Sequence, residues 1–275
     1  MSVTSDDRPF FFNQLDLFDL SAIKLALDRG NGVLRGNLQA LATLLTIVLL
    51  SGILVLFTII VPALPALRRA STSLARLGTP YFLLVGLGFM FVEIGLIQRL
   101  STFLGHPVYG LAVGLFGIIL STGAGSLLSE RVPLSSAGRI AAWGAVLGTY
   151  LVLLPLWFPY AVAMYEGETL PVRTLVSLVA IVPSGLLMGF GFPTGMALCN
   201  AIDTRPTPWF WAVNGAAGVL AAGVAVCTSI AFSINVSLWV GAACYALLIP
   251  VGIALAALSS RTRRLAEAVP VAGGA

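Results

Sequence analysis

Long apolar stretches alternate with short polar connections along most of this chain. A helix needs about 20 consecutive apolar residues to cross the hydrocarbon core of a bilayer, so the pattern predicts transmembrane helices. Seven stretches reach this length: Leu38–Leu64, Pro80–Phe103, Pro107–Leu128, Ala137–Met164, Val172–Cys199, Pro208–Phe232 and Val236–Leu258. The predicted fold class is therefore an all-α, polytopic transmembrane helical bundle of about seven spans.

The spans divide the chain into three segments. Residues 1–37 hold five of the eleven acidic residues and alternate polar with apolar positions, which suggests a juxtamembrane or interfacial segment. Residues 38–260 form the predicted seven-span membrane domain, and residues 261–275 form a polar, flexible tail.

Prolines indicate where helices begin and where one of them breaks. The N–H that proline lacks has no partner in the first turn of a helix, so proline suits that position. Three spans begin with one: Pro80, Pro107 and Pro208. Pro193 lies inside the fifth span between Gly191 and Gly195, and we interpret GFGFPTG as a helix break with close packing.

Composition supports an integral membrane protein. Hydrophobic residues make up 58% of the chain and charged residues only 9%, whereas about 25% is usual in soluble domains. The net charge of +4 comes from arginines in the connections, which suits membrane orientation better than nucleic-acid binding. The three cysteines have no metal-binding spacing. We name no catalytic residue, metal ligand or cofactor.

The arginine distribution predicts the orientation, because cytoplasmic connections are enriched in Lys and Arg. One side of the membrane receives Arg68, Arg69, Arg76, Arg131, Arg139, Arg205, Arg261, Arg263 and Arg264. The other side receives Arg8, Lys24, Arg29, Arg35, Arg99 and Arg173. This bias places the C-terminus in the cytoplasm and the N-terminus outside, for a multi-pass protein of a bacterial inner (plasma) membrane.

A weak internal repeat appears at an offset of about 100 residues. Paired positions are Gly95 with Gly195, Pro107 with Pro208, and Gly114 with Gly215. Three spans separate the two copies, and an odd number of spans inverts the orientation. The pattern therefore suggests an inverted 3+3 repeat, which in transporters places sites at the repeat interface.

Glu93 is the acidic residue that falls within a predicted span, in YFLLVGLGFMFVEIGLIQRL. An acid at the centre of a membrane helix costs roughly 2.5–3.5 kcal/mol on insertion scales, so it requires a partner or a function. Glu93 is a candidate proton, cation or substrate ligand, or a structural carboxyl bonded across helices. Arg99 follows about 9 Å along the helix axis, but six residues do not place two side chains on one face.

The residues around Glu93 complete a candidate polar cluster. Gln98 is suited to bridging helices, Arg99 to reaching the interface or another helix, and His106 to capping the next helix. Tyr109 follows in the same turn. From the second half of the repeat we add Trp211, which is typical of a membrane-edge aromatic belt, and Asn214, which suits hydrogen bonding between helices.

Several segments together resemble the membrane region of bacterial spermidine-synthase-like integral membrane proteins. They are TSDDRPFFFNQL, GVLRGNLQAL, GFMFVEIGLIQRLSTFLGHPVY, GFGFPTGMAL and PWFWAVNGAAGVL, and EIGLIQR…LGHP is the most specific. The resemblance implies a partner Rossmann-like soluble domain or subunit similar to polyamine aminopropyltransferases, which use decarboxylated S-adenosylmethionine. The nucleotide-binding and catalytic motifs of such enzymes have no counterpart in this chain, so activity of this chain on its own is not expected.

Three functions remain open at this stage. The leading hypothesis is a membrane-embedded binding or assembly module in contact with the lipid bilayer, with Glu93 accepting a hydrogen bond or a cation and Arg99 and His106 at its outer rim. The second is a transporter-like half that moves a small cation such as a polyamine, with Glu93 as counter-charge. The third is a structural subunit or anchor of a larger membrane complex, in which Glu93→Gln affects only stability.

Overall fold

The computed structural model describes Asp7 and residues 32–267. The regular structure in this part of the chain is helical: α1 (Gly32–Val55), a π-helical turn (Leu56–Ile60), α2 (Val61–Arg69), α3 (Thr72–Phe103), α4 (Pro107–Arg131), α5 (Ala137–Tyr165), α6 (Leu170–Met188), α7 (Gly191–Asn200), α8 (Thr207–Ala231) and α9 (Ile234–Glu267). Seven helical stretches are long and apolar enough to span a membrane, at Leu38–Arg69, Thr72–Phe103, Pro107–Arg131, Ala137–Tyr165, Leu170–Asn200, Thr207–Ala231 and Ile234–Leu265. The predicted all-α polytopic fold is confirmed.

The second span begins earlier than its proline suggested. The Oγ atom of Ser71 accepts a hydrogen bond of 3.3 Å from the N–H of Leu74, which caps α3 at Thr72. Pro80 therefore lies inside α3 and not at its first position. Pro107 does begin α4, and Pro208 lies in the first turn of α8.

The outer segments of the prediction are only partly described. Apart from Asp7, residues 1–31 lie outside the described part of the chain, and α1 already begins at Gly32. At the other end α9 reaches Glu267, so the boundary drawn at residue 260 falls inside a helix. Residues 268–275 of the proposed tail also lie outside the described residues.

The helices alternate in direction, which gives the bundle two ends. Ser101 of α3 meets Gly110 of α4, and Ile97 meets Gly114, so these two helices are antiparallel. One end carries the nine arginines named above for the cytoplasmic side, and we call it the arginine-rich end. The opposite end carries Arg99 and Arg173 together with the connections 104–106, 166–169 and 232–233.

Helix α3 lies at the centre of the bundle and packs against α4, α8 and α9. Glycines make this possible, since a Cβ atom on Gly86 would lie 2.5 Å from the carbonyl oxygen of Asn214 in α8. A Cβ atom on Gly95 would lie 2.7 Å from the side chain of Leu238 in α9. Small residues that let backbones approach closely are the usual basis of helix association in membranes.

The remaining helices surround this centre. Helix α6 packs on α4, α5 packs on α9, and α1 contacts the rest of the bundle through α8. The packing agrees with the suggested 3+3 symmetry between the two halves but not within them. Helix α3 packs extensively on α8, and the symmetry-related pair α4 and α6 does the same. Helix α4 also packs extensively on α3, whereas its counterpart α8 makes few contacts with α7.

Candidate functional site

A buried polar cluster at the end opposite the arginine-rich end joins three distant parts of the chain. The side chain of Arg99 is 2% exposed, and its Nη2 atom lies 2.8 Å from Oδ1 of Asp7 in an ion pair. The same nitrogen donates a hydrogen bond of 2.6 Å to Oδ1 of Asn235 in α9. A charge inside a helical bundle is tolerated only when it is paired and hydrogen-bonded, and this Asp7–Arg99–Asn235 cluster meets that condition.

Asp7 also completes the start of α9. The first amides of a helix have no acceptor within the helix itself. The carbonyl oxygen of Asp7 accepts a hydrogen bond of 3.1 Å from Ile234, and its carboxylate accepts one of 2.9 Å from the N–H of Asn235. The Oγ atom of Ser233 accepts the next amide, that of Val236, at 3.2 Å. Asp7 is therefore bonded to the first turn of the last helix of the bundle.

The turn between α3 and α4 lies at the same end. Gly105 has a φ angle of 77°, which glycine adopts without strain. Nη1 of Arg173, from α6, donates a hydrogen bond of 3.0 Å to the carbonyl oxygen of Phe103. His106 then caps α4, because its Nδ1 atom accepts a hydrogen bond of 3.2 Å from the N–H of Val108. The cap is the structural role that the sequence offered for this histidine.

His106 and Tyr109 are both exposed, and their ring centroids are 5.8 Å apart in an edge-on arrangement. Neither side chain has a hydrogen bond to the Asp7–Arg99–Asn235 cluster within the described residues. The two rings therefore lie at the same end of the bundle as Arg99, but as part of the surface turn.

Glu93 occupies the middle of α3 and is 6% exposed. Among the residues that the structure describes, its carboxyl group has no hydrogen-bond or ion-pair partner. Its neighbours Val92 and Gly95 pack against Gly241 and Leu238 of α9. Arg99 is paired with Asp7 and not with Glu93, as their spacing predicted. Glu93 and Arg99 are therefore separate features of α3.

Gln98 lies between these two charges in the sequence. Its Oε1 atom is buried and accepts no hydrogen bond from the described part of the protein. The hydroxyl groups of Ser229 in α8 and Ser237 in α9 are also buried without a hydrogen-bond partner there. The predicted bridge from Gln98 to a neighbouring helix is thus absent from the described residues.

Trp211 and Asn214 lie toward the other end of the bundle, in the first turns of α8. The indole of Trp211 is 58% exposed and meets the ring of Phe192 edge-on at 4.4 Å. The backbone of Asn214 packs against Gly86, seven residues before Glu93, which corresponds to about 10 Å along the helix. The prediction that these residues join His106 and Arg99 in one site is wrong, because α3 and α8 run parallel and hold them at different depths.

The break in the fifth span lies just before Pro193. Helix α6 ends at Met188 and α7 begins at Gly191. Buried side chains from two other helices bond to the backbone at this break. The hydroxyl of Tyr81 donates a hydrogen bond of 2.8 Å to the carbonyl oxygen of Gly191, and Nε1 of Trp143 donates one of 2.9 Å to that of Leu187.

Gly195 is needed one turn further along α7, because any Cβ atom there would collide with the ring of Tyr81. The break is therefore a packed junction between α3, α5 and the two halves of the fifth span. Gly195 serves close packing in this junction, and Gly189 serves it against Thr122 of α4. A Cβ atom on Gly191, by contrast, would meet no atom closer than 3.7 Å. Close packing is the interpretation that the sequence favoured.

Sequence reasoning missed Asp7, Asn235 and Tyr81. The signal for Asp7 was present in the DDRPFFF element, but nothing local links that element to Arg99. Asn235 follows a short connection and resembles an ordinary polar residue at the start of a span. Tyr81 lies in an apolar run, and its role depends on a carbonyl group 110 residues away.

In chemical terms, the described part of the chain offers a buried ion pair, an unpartnered carboxyl group and a packed helix break. No group of three or more His, Cys, Asp or Glu residues within it is placed to hold a metal ion. Comparison of the chain with protein-family models, curated proteins and solved structures finds no match. Function therefore has to be argued from these features.

Proposed function

We propose that this chain is the integral membrane module of a spermidine-synthase-like protein, and that its role is binding or assembly. In this proposal the end of the bundle that carries the Asp7–Arg99–Asn235 cluster holds an extramembrane segment, and with it a Rossmann-like domain or subunit. The observation that carries the proposal is the burial of Arg99 against Asp7, a residue of the segment that precedes the first span.

The contacts of Asp7 support an anchoring role better than a catalytic one. Its carboxylate and carbonyl oxygens are engaged with Arg99 and with two backbone amides of α9. These contacts hold the backbone at position 7 against α9. A partner domain joined to the chain near Asp7 would then be held at this end of the bundle.

We further propose that the protein lies in a bacterial inner membrane with the arginine-rich end in the cytoplasm. The anchoring end then faces outward, where a domain has no access to cytoplasmic cofactors. We therefore assign this chain no enzymatic activity, no cofactor and no nucleic-acid partner. The orientation is testable in intact cells with a membrane-impermeant thiol reagent, which should label Glu168→Cys but not Arg205→Cys in a cysteine-free background. The reverse labelling would contradict the orientation.

The assembly role is tested with the coding sequence that lies upstream of Met1. We expect an aminopropyltransferase-like domain to be encoded there, in frame or in a neighbouring gene. When the two are produced together, the domain should purify with the wild-type membrane module and with Arg205→Leu. Recovery should fall at least severalfold with Arg99→Leu.

Arg205 is the matched control because it also forms an ion pair of 2.8 Å, but on an exposed connection. The assembly role is contradicted if no such domain is encoded near the gene. Equal recovery with both arginine variants would also contradict it, provided that the Arg99→Leu protein elutes as a folded species in size-exclusion chromatography.

A transporter-like function is the second candidate, and one observation favours it. Glu93 is buried near the middle of a span without a hydrogen-bond partner among the described residues, as expected of a counter-charge for a small cation such as a polyamine. Liposomes containing the purified protein should then take up labelled polyamine, and Glu93→Gln should abolish uptake. No uptake above empty vesicles, or equal uptake by the variant, would exclude this function. Glu93→Gln would then change only the stability of the protein, as the anchor hypothesis expects.

A further inference from the structure

A cavity opens at the arginine-rich end, far from the Asp7–Arg99–Asn235 cluster. Its volume is about 430 Å³, and its walls come from the end of α4, the connection 133–135, α7 and the end of α9. Ligand-binding cavities usually measure about 300–1,000 Å³, so a small molecule or a lipid headgroup fits. Pro193 lines it, which means that the cavity reaches the break in the fifth span.

Two largely buried residues present hydroxyl groups to this cavity. Thr194 of α7 is 6% exposed and Ser259 of α9 is 3% exposed. Neither hydroxyl has a hydrogen bond to the residues that the structure describes, and both oxygens remain accessible from the cavity. Both hydroxyls can therefore donate hydrogen bonds to a ligand that supplies acceptor oxygens.

The charge at the cavity favours an anion. Arg263 and Arg264 line it from the last turns of α9, and within the described part of the chain neither forms an ion pair. Glu130 is the acidic residue among the lining side chains. Two guanidinium groups against one carboxylate leave a net positive charge, and guanidinium groups bind phosphate oxygens through two parallel hydrogen bonds.

The rest of the wall is apolar. Leu134 and Leu198 are both buried and line the cavity beside the hydroxyl groups. A purely ionic ligand would leave these surfaces without a partner, whereas an amphiphile would cover them. Basic pockets between helices on the cytoplasmic side of membrane proteins are typical sites for phosphate-bearing lipid headgroups.

We propose that this cavity binds the phosphate-bearing head of an amphiphile. The guanidinium groups of Arg263 and Arg264 contact the phosphate, the hydroxyls of Thr194 and Ser259 donate hydrogen bonds to its oxygens, and the apolar wall covers the adjoining carbon atoms. The inference does not depend on the proposed assembly role, because the two sites are at opposite ends of the bundle.

Native mass spectrometry of the full chain in mild detergent provides the test. The probes are dioleoyl-phosphatidylglycerol, dioleoyl-phosphatidylcholine and inorganic phosphate. We expect phosphatidylglycerol to bind at least as tightly as either of the others. The double variant Arg263→Gln, Arg264→Gln should weaken its binding about thirtyfold, since each basic residue near a membrane surface contributes about 1 kcal/mol toward an anionic lipid. Thr194→Val should weaken it severalfold.

Arg261→Gln is the matched control, because Arg261 lies on the same helix end and does not line the cavity. Arg261→Gln should leave phosphatidylglycerol binding unchanged within about twofold, because the guanidinium group of Arg261 does not contact the cavity. Competition by inorganic phosphate that is lost in the double variant would support the phosphate chemistry. Tighter binding of inorganic phosphate than of phosphatidylglycerol would identify a free phosphate compound as the source and overturn the amphiphile. Equal weakening by Arg261→Gln, or unchanged binding in both cavity variants, would overturn the proposal.

Discussion

The first and second spans of this protein differ in opposite directions in hydropathy and in burial within the bundle. The most apolar window of the first span, Leu38–Arg69, has a mean hydropathy of 3.0, yet only 6% of it is buried in the bundle. The corresponding window of the second span, Thr72–Phe103, has a mean hydropathy of 2.0, and 56% of it is buried. The less hydrophobic helix is the central one.

The difference follows from the solvent. In a bilayer an apolar side chain gains little by leaving lipid, so hydrophobicity alone does not draw a helix into the bundle. Helix α3 is drawn in by glycines that let other helices approach and by an arginine that needs partners. The described glycines of α1 allow no such approach, because Gly36 has no atom within 4 Å of a Cβ position and Gly52 meets only the end of Leu220.

The largest effect in this comparison should come from Arg99. Replacing Arg99 with Leu removes the charge that pairs with Asp7 and bonds Asn235. The side chain of Asp7 is 32% exposed and keeps part of its hydration, so the cost is that of the two charge-assisted hydrogen bonds, about 3–6 kcal/mol together. We expect a loss of this size in the free energy of unfolding, measured in mixed detergent micelles. Arg205→Leu, which breaks an exposed pair, should cause no measurable change. Similar losses in the two variants would refute the central role of Arg99.

The next largest difference between the two spans should appear when a leucine in each is truncated to alanine. Leu96 of α3 is 1% exposed, whereas Leu49 of α1 is 65% exposed. Leu96→Ala creates a cavity and should lower the free energy of unfolding by about 2–4 kcal/mol. Leu49→Ala faces lipid and should change it by less than about 0.5 kcal/mol. If Leu49→Ala proved as costly as Leu96→Ala, the first span would have to be packed against something.

Glycine-to-alanine substitutions compare how closely α3 and α1 approach their neighbouring helices. Gly86→Ala places a Cβ atom against the backbone of Asn214, so α3 and α8 must separate, at a cost of about 1–3 kcal/mol. Gly52→Ala meets the flexible end of Leu220 at 3.6 Å and should be neutral or slightly stabilising, since alanine favours the helix. The thermal unfolding midpoint of each variant in detergent measures the difference. Equal midpoints would show that α3 and α8 adjust freely.

The smallest effect, and the one of opposite sign, should come from Glu93. Its carboxyl group is buried without a hydrogen-bond partner among the described residues, so an apolar residue of similar size removes an unfavourable group. We expect Glu93→Leu to raise the free energy of unfolding by about 1 kcal/mol. Destabilisation would instead mean that Glu93 has a structural partner, and would weaken the transport hypothesis.

Much of the fold was predictable because hydropathy acts locally. Each span could be located by its own composition, and the predicted boundaries mostly lie within a few residues of the helices. The early start of α3 was missed because Pro80 resembles a first-turn proline, while the true cap is Ser71, nine residues before Pro80. The break near Pro193 was predictable because proline and glycine act on the backbone at their own positions.

The candidate site was only partly predictable, because its partners are far apart in sequence. Arg99 was correctly singled out, and its separation from Glu93 followed from helix geometry. Its bonds to Asp7 and Asn235 span 92 and 136 residues, and no local pattern specifies them. The placement of Trp211 and Asn214 failed for a related reason, since their depth relative to Arg99 depends on how α3 and α8 pack against each other.

By itself the sequence determined the environment, the helical class and the number of crossings, because a bilayer requires each span to satisfy its own backbone and to be apolar. The tertiary structure decided which span is central and which residue neutralises Arg99. It also decided that the polar residues predicted to form one site lie toward opposite ends of the bundle. Those outcomes depend on which helices approach closely, and close approach is a property of pairs of surfaces that no single stretch of sequence contains.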